Sequence, residues 1–243
     1  MAAGLRYDSP LVPARLVRRY KRFFADCELD DGTPVTAHLA NTGKMTGCWK
    51  AGAPCRLSRS TDPKRKLAWS VEQTCIDGRW ILVNTARPNR IVEEALRAGR
   101  LGAVGAIRAE ARYPEGLHGR ADFRLDAFDG RPGTTWLEVK NATLREGETV
   151  WFPDTVTVRG AKHLDTLSAL LDRGDHAVLL LHVGTEGGSR VQVARHLDPA
   201  FGAALDRAVE KGLRVLAWQV CLSDTDAVLH APLPFIPSAT PVR

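Results

Sequence analysis

The chain has 243 residues, is 44% apolar and carries 34 basic against 28 acidic side chains, a net charge of +6. That length buries a core in one large domain or two modest ones. There is no apolar run long enough to span a bilayer and no apolar leader, which points to the cytoplasm and away from membranes. The five cysteines, Cys27, Cys48, Cys55, Cys75 and Cys221, include no C-x-x-C pair, so neither a disulfide framework nor a zinc site is expected, and they read as reduced, mostly buried thiols.

Residues 1–86 hold 14 Lys or Arg against 8 Asp or Glu, whereas residues 87–243 hold 20 of each. An excess confined to the first part suggests a polyanionic partner there; the plainer alternative is a charged surface that keeps the protein in solution. This part reads as short strands and turns. RLVRRYKRFFADCEL and TPVTAHLA flank DDG, and LAWSVEQTC and RWILVNT flank DG, both hairpin signals. With the strand PCRLSRS between them, about five strands in about 75 residues match an OB-type barrel, which period alone does not separate from an SH3-like one. Arg18, Arg19, Lys21 and Arg22 interleave with Tyr20, Phe23 and Phe24, the composition with which such barrels grip nucleic-acid phosphates and bases. Lys44, in NTGKMTGCWKAG, and Lys64, Arg65 and Lys66, in the loop TDPKRK, are further candidate phosphate contacts.

Past Ala86 the pattern changes. RPNRIVEEALRAG predicts a short amphipathic helix with Asn89 as N-cap and Gly99 as its stop. The hairpin RADFRLDAFDGRPGTTWLEVK follows, then a strand in ETVWFPDTVT. A helix over RGAKHLDTLSALLDRG comes next, then a buried strand HAVLLLHVG in which His182 reads as a core histidine. LDPAFGAALDRAVEKG is a helix capped by Asp198, and LRVLAWQVCLS a last strand. The order α-β-β-β-α-β-α-β predicts a mixed sheet covered by helices, with APLPFIPSATPVR as an irregular tail.

In a strand, residues two apart share a face, so Glu138 and Lys140 project together, and the turn DGRPG can fold Asp122 beside them. Two carboxylates and an ammonium suit Mg²⁺ or Mn²⁺ and a metal-activated water attacking a phosphodiester. Charges at alternate positions are also what any solvent-facing strand shows. Glu93 and Glu94 of the preceding helix are candidates to reach a metal, and periodicity does not choose between them. Arg159, Lys162 and His163, at the start of the RGAKHL helix, form a candidate phosphate seat, with a solvated helix end as the alternative.

LVRRYKRFFADCEL, ANTGKMTGC, RPNRIVEEAL, RADF, LEVKNATL, FPDTVTVRGAKHLDTL and LAWQVCLS resemble, in order and spacing, the sugar fermentation stimulation protein A family, over residues 10–232. The resemblance implies an N-terminal OB-fold, residues 1–86, joined to a nuclease-like α/β domain of the PD-(D/E)XK type, residues 87–243. It also implies DNA binding linked to the regulation of sugar metabolism. Asp122, Glu138 and Lys140 fall on the nuclease motif's acid, acid and lysine; Glu94 is the candidate named for the helix acid, with the choice between it and Glu93 open. The chain departs from the family at Ala40, usually Pro, at Lys44, usually Ser, at Ala161, usually Gln, and beside Arg120, where the family usually has Ser. The expected function is DNA binding with a Mg²⁺- or Mn²⁺-dependent nuclease-type site and little sequence preference. Two rivals are a regulator that holds DNA on a nuclease-like fold without cutting it, and an RNA-binding protein.

Overall fold

A computed structural model describes residues 4–237 of the chain. The first strand, β1 (Gly4–Arg6), lies outside the barrel. It runs antiparallel to a strand near the other end of the chain, and Leu5, Tyr7 and Leu11 are buried in the second unit's core. The barrel is built from β2 (Val12–Tyr20), β3 (Phe24–Leu29), β4 (Pro34–His38), β5 (Pro54–Arg59), β6 (Trp69–Ile76) and β7 (Arg79–Leu82). Its strands run in the order β4-β3-β2-β5-β6-β7, and parallel pairing of β4 with β6 closes the first five into an OB-fold-like barrel. Alternate residues such as Ala14 and Leu16, Ala25 and Cys27, and Cys55 and Leu57 fill it.

One sequence expectation changes here. RLVRRYKRFFADCEL is two strands rather than one: β2 and β3 pair as a hairpin whose tip holds Lys21 and Arg22 at φ of 46° and 65°. Positive φ at two successive residues is normally supplied by Gly, Asn or Asp, so nothing in the residue types announces this turn.

The second unit comprises α1 (Pro88–Arg97), β8 (Ala106–Arg112), β9 (Arg120–Asp126), β10 (Thr134–Ala142), β11 (Leu144–Glu146), β12 (Thr149–Phe152), α2 (Val158–Asp172), β13 (His176–Val183), β14 (Arg190–Val193), α3 (Pro199–Glu210), β15 (Arg214–Leu222), β16 (Asp226–Pro232) and β17 (Phe235–Ile236). The main sheet has the order β1-β16-β15-β13-β10-β9-β8, with β10, β13 and β15 parallel, and a smaller sheet has the order β11-β12-β14-β17. This is the expected mixed α/β architecture of the PD-(D/E)XK type, with more strands than the residue pattern shows. The tail expected to be irregular supplies the end of β16 and all of β17, and residues 238–243 lie outside the described residues.

Sheet alternation sorts the core into two layers. Leu137 and Val139 of β10 pack with Ile91, Val92, Ala95 and Leu96 of α1. On the other face Trp136 packs with Leu164, Leu167 and Leu170 of α2 and with Phe201 of α3. Each fully buried side chain of this kind contributes about 1.5–3 kcal/mol. Asp198 ties the two helix starts together: Oδ1 accepts from Phe201 N at 2.9 Å, and Oδ2 accepts from Thr157 N at 2.7 Å. Cys27, Cys48 and Cys55 are buried, Cys75 is half-buried and Cys221 is exposed. Among the described residues no helix is long and apolar enough to cross a membrane.

Candidate metal and nucleic-acid site

β9 and β10 pair antiparallel from Asp126↔Thr134 to Phe123↔Leu137. One step further, Asp122 and Glu138 would stand opposite, and there the ladder ends. The Asp122 carboxylate instead accepts the Val139 N–H through Oδ2 at 2.7 Å and the Asn89 Nδ2 amide through Oδ1 at 2.8 Å. Glu138 is 2% exposed, and Lys140 Nζ donates to its Oε1 at 2.5 Å. His163, from the start of α2, donates through Nδ1 to that same oxygen, while its Nε2 accepts from Arg159 Nε at 3.2 Å. Arg159 and His163 are four residues apart and therefore share a helix face. The other carboxylate oxygen, Glu138 Oε2, is buried with no hydrogen-bond partner among the described residues.

The two acids respond differently to this setting. Burial, reinforced by the negative charge of Glu138, raises the Asp122 pKa against the lowering effect of the Val139 and Asn89 hydrogen bonds. Burial also acts to raise Glu138, but hydrogen bonds and charge from His163 and Lys140 overcome it and leave that carboxyl below its ordinary value. Tyr113, just beyond β8, packs its ring on Trp136 at 5.5 Å. Its hydroxyl is buried with no hydrogen-bond partner among the described residues, and burial together with the charges of Glu138 and Asp122 raises its pKa, so it borders the pair.

Asp122, Glu138 and Lys140 are thus brought together, and His163 and Arg159, expected as a separate phosphate seat, join them. A cavity of about 600 Å³ alongside is lined by Tyr113, Arg120, Arg159, Lys162 and His163. Glu94 is not brought in. Asn89 is the α1 residue that reaches Asp122, and five residues on, at about 100° per residue, Glu94 lies well round the helix from it. Glu94 is exposed, while Glu93 pairs with Arg97 at 2.6 Å. Asn89 is also not the N-cap; Arg87 holds that position without a side-chain cap bond. His182 is fully buried, its Nδ1 donating to Asn141 Oδ1 at 2.9 Å.

In the barrel, Arg19, Tyr20, Lys21, Arg22 and Lys44 line one cavity of about 360 Å³ beside the β2–β3 tip. Arg19 Nη2 donates to the carbonyls of Asn41 at 3.0 Å and Gly43 at 2.8 Å, fixing the NTG loop against β2. Arg18 pairs with Asp26 at 2.6 Å, its guanidinium lying 4.9 Å from the centre of the Tyr20 ring. Phe23 is 46% exposed at the hairpin tip, and Tyr20 stacks on Phe24 at 5.4 Å. Lys64 and Lys66 are exposed, whereas Arg65 donates to Ser70 Oγ at 3.1 Å.

The donor chemistry fits a hard divalent cation, since two carboxylates lie together and one buried carboxylate oxygen has no partner. Among the described residues, however, no three His, Cys, Asp or Glu side chains form a ready metal-binding group.

Residues 86–226 match the sugar fermentation stimulation protein RE domain and residues 17–83 the SfsA N-terminal OB domain. A sugar fermentation stimulation protein homolog of Geobacter metallireducens is 45% identical, the match covering 96% of this chain and all of that protein. A homolog of Pseudomonas entomophila is 45% identical over 93% of this chain and 96% of its own length. The chain therefore belongs to the SfsA family. It also shares its fold with Pyrococcus furiosus SfsA, solved in complex with Ca²⁺, at a TM-score of 0.84 and 22% identity over 97% of this chain and 99% of that one.

Proposed function

We propose that the protein binds DNA with little sequence preference, largely through its barrel, and carries a divalent-metal-dependent phosphodiesterase site of the nuclease type. The observation that carries this reading is the burial of Glu138 beside Asp122, with one carboxylate oxygen uncommitted. A decorative strand face is exposed, whereas this carboxylate is 2% exposed. Burying two acids together is unfavourable unless a cation or a proton offsets it. Asp122 and Glu138 are the residues that would hold Mg²⁺ or Mn²⁺. A bound divalent ion would supply Lewis acidity and a lowered water pKa. The Ca²⁺ complex of the Pyrococcus furiosus protein is in keeping with an oxygen-rich site for a hard cation.

The chain's own side chains take the remaining roles. Lys140 holds Glu138 and is placed to orient a water on its face of β10. Arg120, Arg159 and Lys162 line the neighbouring cavity and bind the backbone on either side of the reacting phosphate. In the barrel, Lys21, Arg22 and Lys44 neutralise phosphates while Tyr20 and the exposed Phe23 offer faces for bases. Labelled single- and double-stranded DNA and RNA, incubated with Mn²⁺, Mg²⁺ or EDTA, test the reading. Metal-dependent DNA cleavage is expected, and a preference for RNA would reassign the substrate.

One observation favours a second reading, a DNA-binding regulator that does not cut. Lys140 and His163 already satisfy Glu138 Oε1 from within the chain, and the Lys140 ammonium offsets its charge without a metal.

A further inference from the structure

Five arginines line a small pocket at the seam between the two units. Arg6 ends β1, Arg59 ends β5 with its guanidinium 5.4 Å from the centre of the Trp69 ring, Arg65 comes from the basic loop, and Arg87 and Arg90 from the N-cap and first turn of α1. Asp8 is the only acid in the lining. Arg87 is committed to Glu72, but Arg6, Arg59, Arg65 and Arg90 make no ion pair among the described residues. Segments far apart in sequence thus bring four arginines without an ion pair to one pocket, against the single acid Asp8. Their mutual repulsion is unfavourable unless an anion relieves it.

We propose that this pocket binds one phosphomonoester group, carried by the end of a nucleic-acid strand or by a mononucleotide. Its volume of about 120 Å³ is small beside the 600 Å³ cavity near the carboxylates, and below the roughly 300–1,000 Å³ usual for whole small-molecule ligands. It takes a single compact group and leaves sugar and base outside. A phosphomonoester presents three terminal oxygens and close to two negative charges, against two oxygens and one charge for a backbone diester, so a lining with four arginines outside any ion pair favours the monoester. The start of α1 adds its partial positive charge, and no acidic residue occupies that first turn. Asn89, which holds Asp122, is the neighbour of Arg90 in sequence, so α1 contributes to both the pocket and the carboxylate site.

The test uses the full chain in EDTA, so that it reads neither metal binding nor cleavage and stands apart from the nuclease reading. Affinities are measured by titration calorimetry for adenosine 5′-monophosphate against adenosine. They are also measured for one short DNA strand bearing a 5′-phosphate, a 3′-phosphate or hydroxyls at both ends. At least one phosphorylated probe is expected to bind about tenfold or more tighter than its unphosphorylated counterpart, an advantage that falls to near one in Arg59→Gln/Arg90→Gln. Both substituted residues are exposed, and unchanged melting of the double variant verifies its fold. An advantage confined to the strand assigns a nucleic-acid end, with the 5′ and 3′ probes naming which, and one confined to the monophosphate assigns a mononucleotide. Equal binding of every phosphorylated and unphosphorylated pair, or an advantage that survives in the double variant, overturns the proposal.

Discussion

Arg87 grips Glu72 with two hydrogen bonds, Nε to Oε2 at 2.8 Å and Nη2 to Oε1 at 2.5 Å, joining the start of α1 to barrel strand β6. Glu72 is fully buried, and its carboxylate also accepts from Asn84 Nδ2 at 2.9 Å and Ser58 Oγ at 2.7 Å. Around this point Gln73 Nε2 reaches across to the Ser223 carbonyl at 2.8 Å, and Leu82 N donates to the Gly184 carbonyl at 2.7 Å. The barrel and the second unit are therefore joined by satisfied polar groups as well as by apolar packing.

Removing one partner of a buried pair leaves an uncompensated charge. Arg87→Ala is expected to lower stability in urea unfolding by about 3–5 kcal/mol. Arg87→Met/Glu72→Gln should lose less than the single variant, because the stranded charge goes with it. If Arg87→Ala unfolds at the wild-type urea concentration, the pair does not hold the seam.

The barrel cavity predicts a division of labour among its basic residues. Lys21, Arg22 and Lys44 line it, and each should contribute one phosphate contact. Replacing any one by Ala is then expected to flatten the dependence of log K on log salt by about 0.7–0.9, read by fluorescence anisotropy across a salt series. Arg19 holds the carbonyls of Asn41 and Gly43, so Arg19→Ala should lower the melting temperature as well as the affinity. An unchanged slope in all three line-replacement variants would move the binding surface elsewhere.

A metal held by Asp122 and Glu138 stabilises the folded state by mass action, about 2.7 kcal/mol at a hundred times its Kd. Millimolar Mn²⁺ should raise the wild-type melting temperature and leave that of Glu138→Gln unmoved. Gln suits this position because Oε2 has no hydrogen-bond partner among the described residues, so an amide nitrogen there displaces no existing bond while Oε1 keeps its donors. Asp122→Asn is the poorer probe. Both Asp122 oxygens accept, from Val139 N and Asn89 Nδ2, so an amide there keeps Val139 N on its oxygen only if the Asn89 amide turns over to accept its nitrogen, a rearrangement Glu138→Gln does not need. Absence of a Mn²⁺ shift in the wild type removes the metal site.

The site is legible in the sequence only where it follows from local period and loop length. Strand alternation placed Glu138 and Lys140 on one face, and the turn between β9 and β10 brought Asp122 to them, because both are short-range consequences of period and loop length. Asn89 was misread because an Asn before a helical pattern ordinarily signals a cap; its use on Asp122 depends on a strand 33 residues away. Tyr113 carries no local signal for its place against Trp136. The pairing of β1 with β16 and the burial of Glu72 are equally long-range facts, and the Lys21–Arg22 turn is hidden because its residue types are unusual for positive φ.

His182 gives a pH prediction. Burial lowers its pKa from the ordinary 6.5 to about 4, so the folded protein holds it neutral where the unfolded chain protonates it. The unfolded state then binds more protons between those values. The stability associated with the neutral ring is present in full above pH 6.5 and is lost progressively as pH falls towards 4, in all on the order of 3 kcal/mol. His182→Phe should be less stable at pH 7, since Asn141 Oδ1 loses its donor, but flatter across pH 6.5 to 4 in chemical unfolding. An undiminished slope in that variant assigns the acid sensitivity to other groups.

Lys140 separates the two readings of the site. Its Nζ lies 2.5 Å from Glu138 Oε1 and shares that oxygen with His163, so its removal leaves the carboxylate one donor and both acids intact. Lys140→Ala is therefore expected to keep the Mn²⁺ shift in melting temperature and the wild-type affinity for DNA. During phosphodiester cleavage, however, negative charge builds on the phosphorane and the attacking water must be held in line. Loss of one preorganised donor in such a transition state is worth about 2.7–4 kcal/mol. Mn²⁺-dependent cleavage should fall by about a hundredfold or more, read as single-turnover rates on labelled DNA with saturating enzyme. Lys140→Gln should restore little of the rate, because an amide orients a water without supplying charge. Equal cleavage by wild type and Lys140→Ala would remove Lys140 from the chemistry. A wild type that binds DNA and Mn²⁺ yet cleaves neither DNA nor RNA would leave the regulator reading in place, with Lys140 offsetting the charge of Glu138 and His163 its second donor.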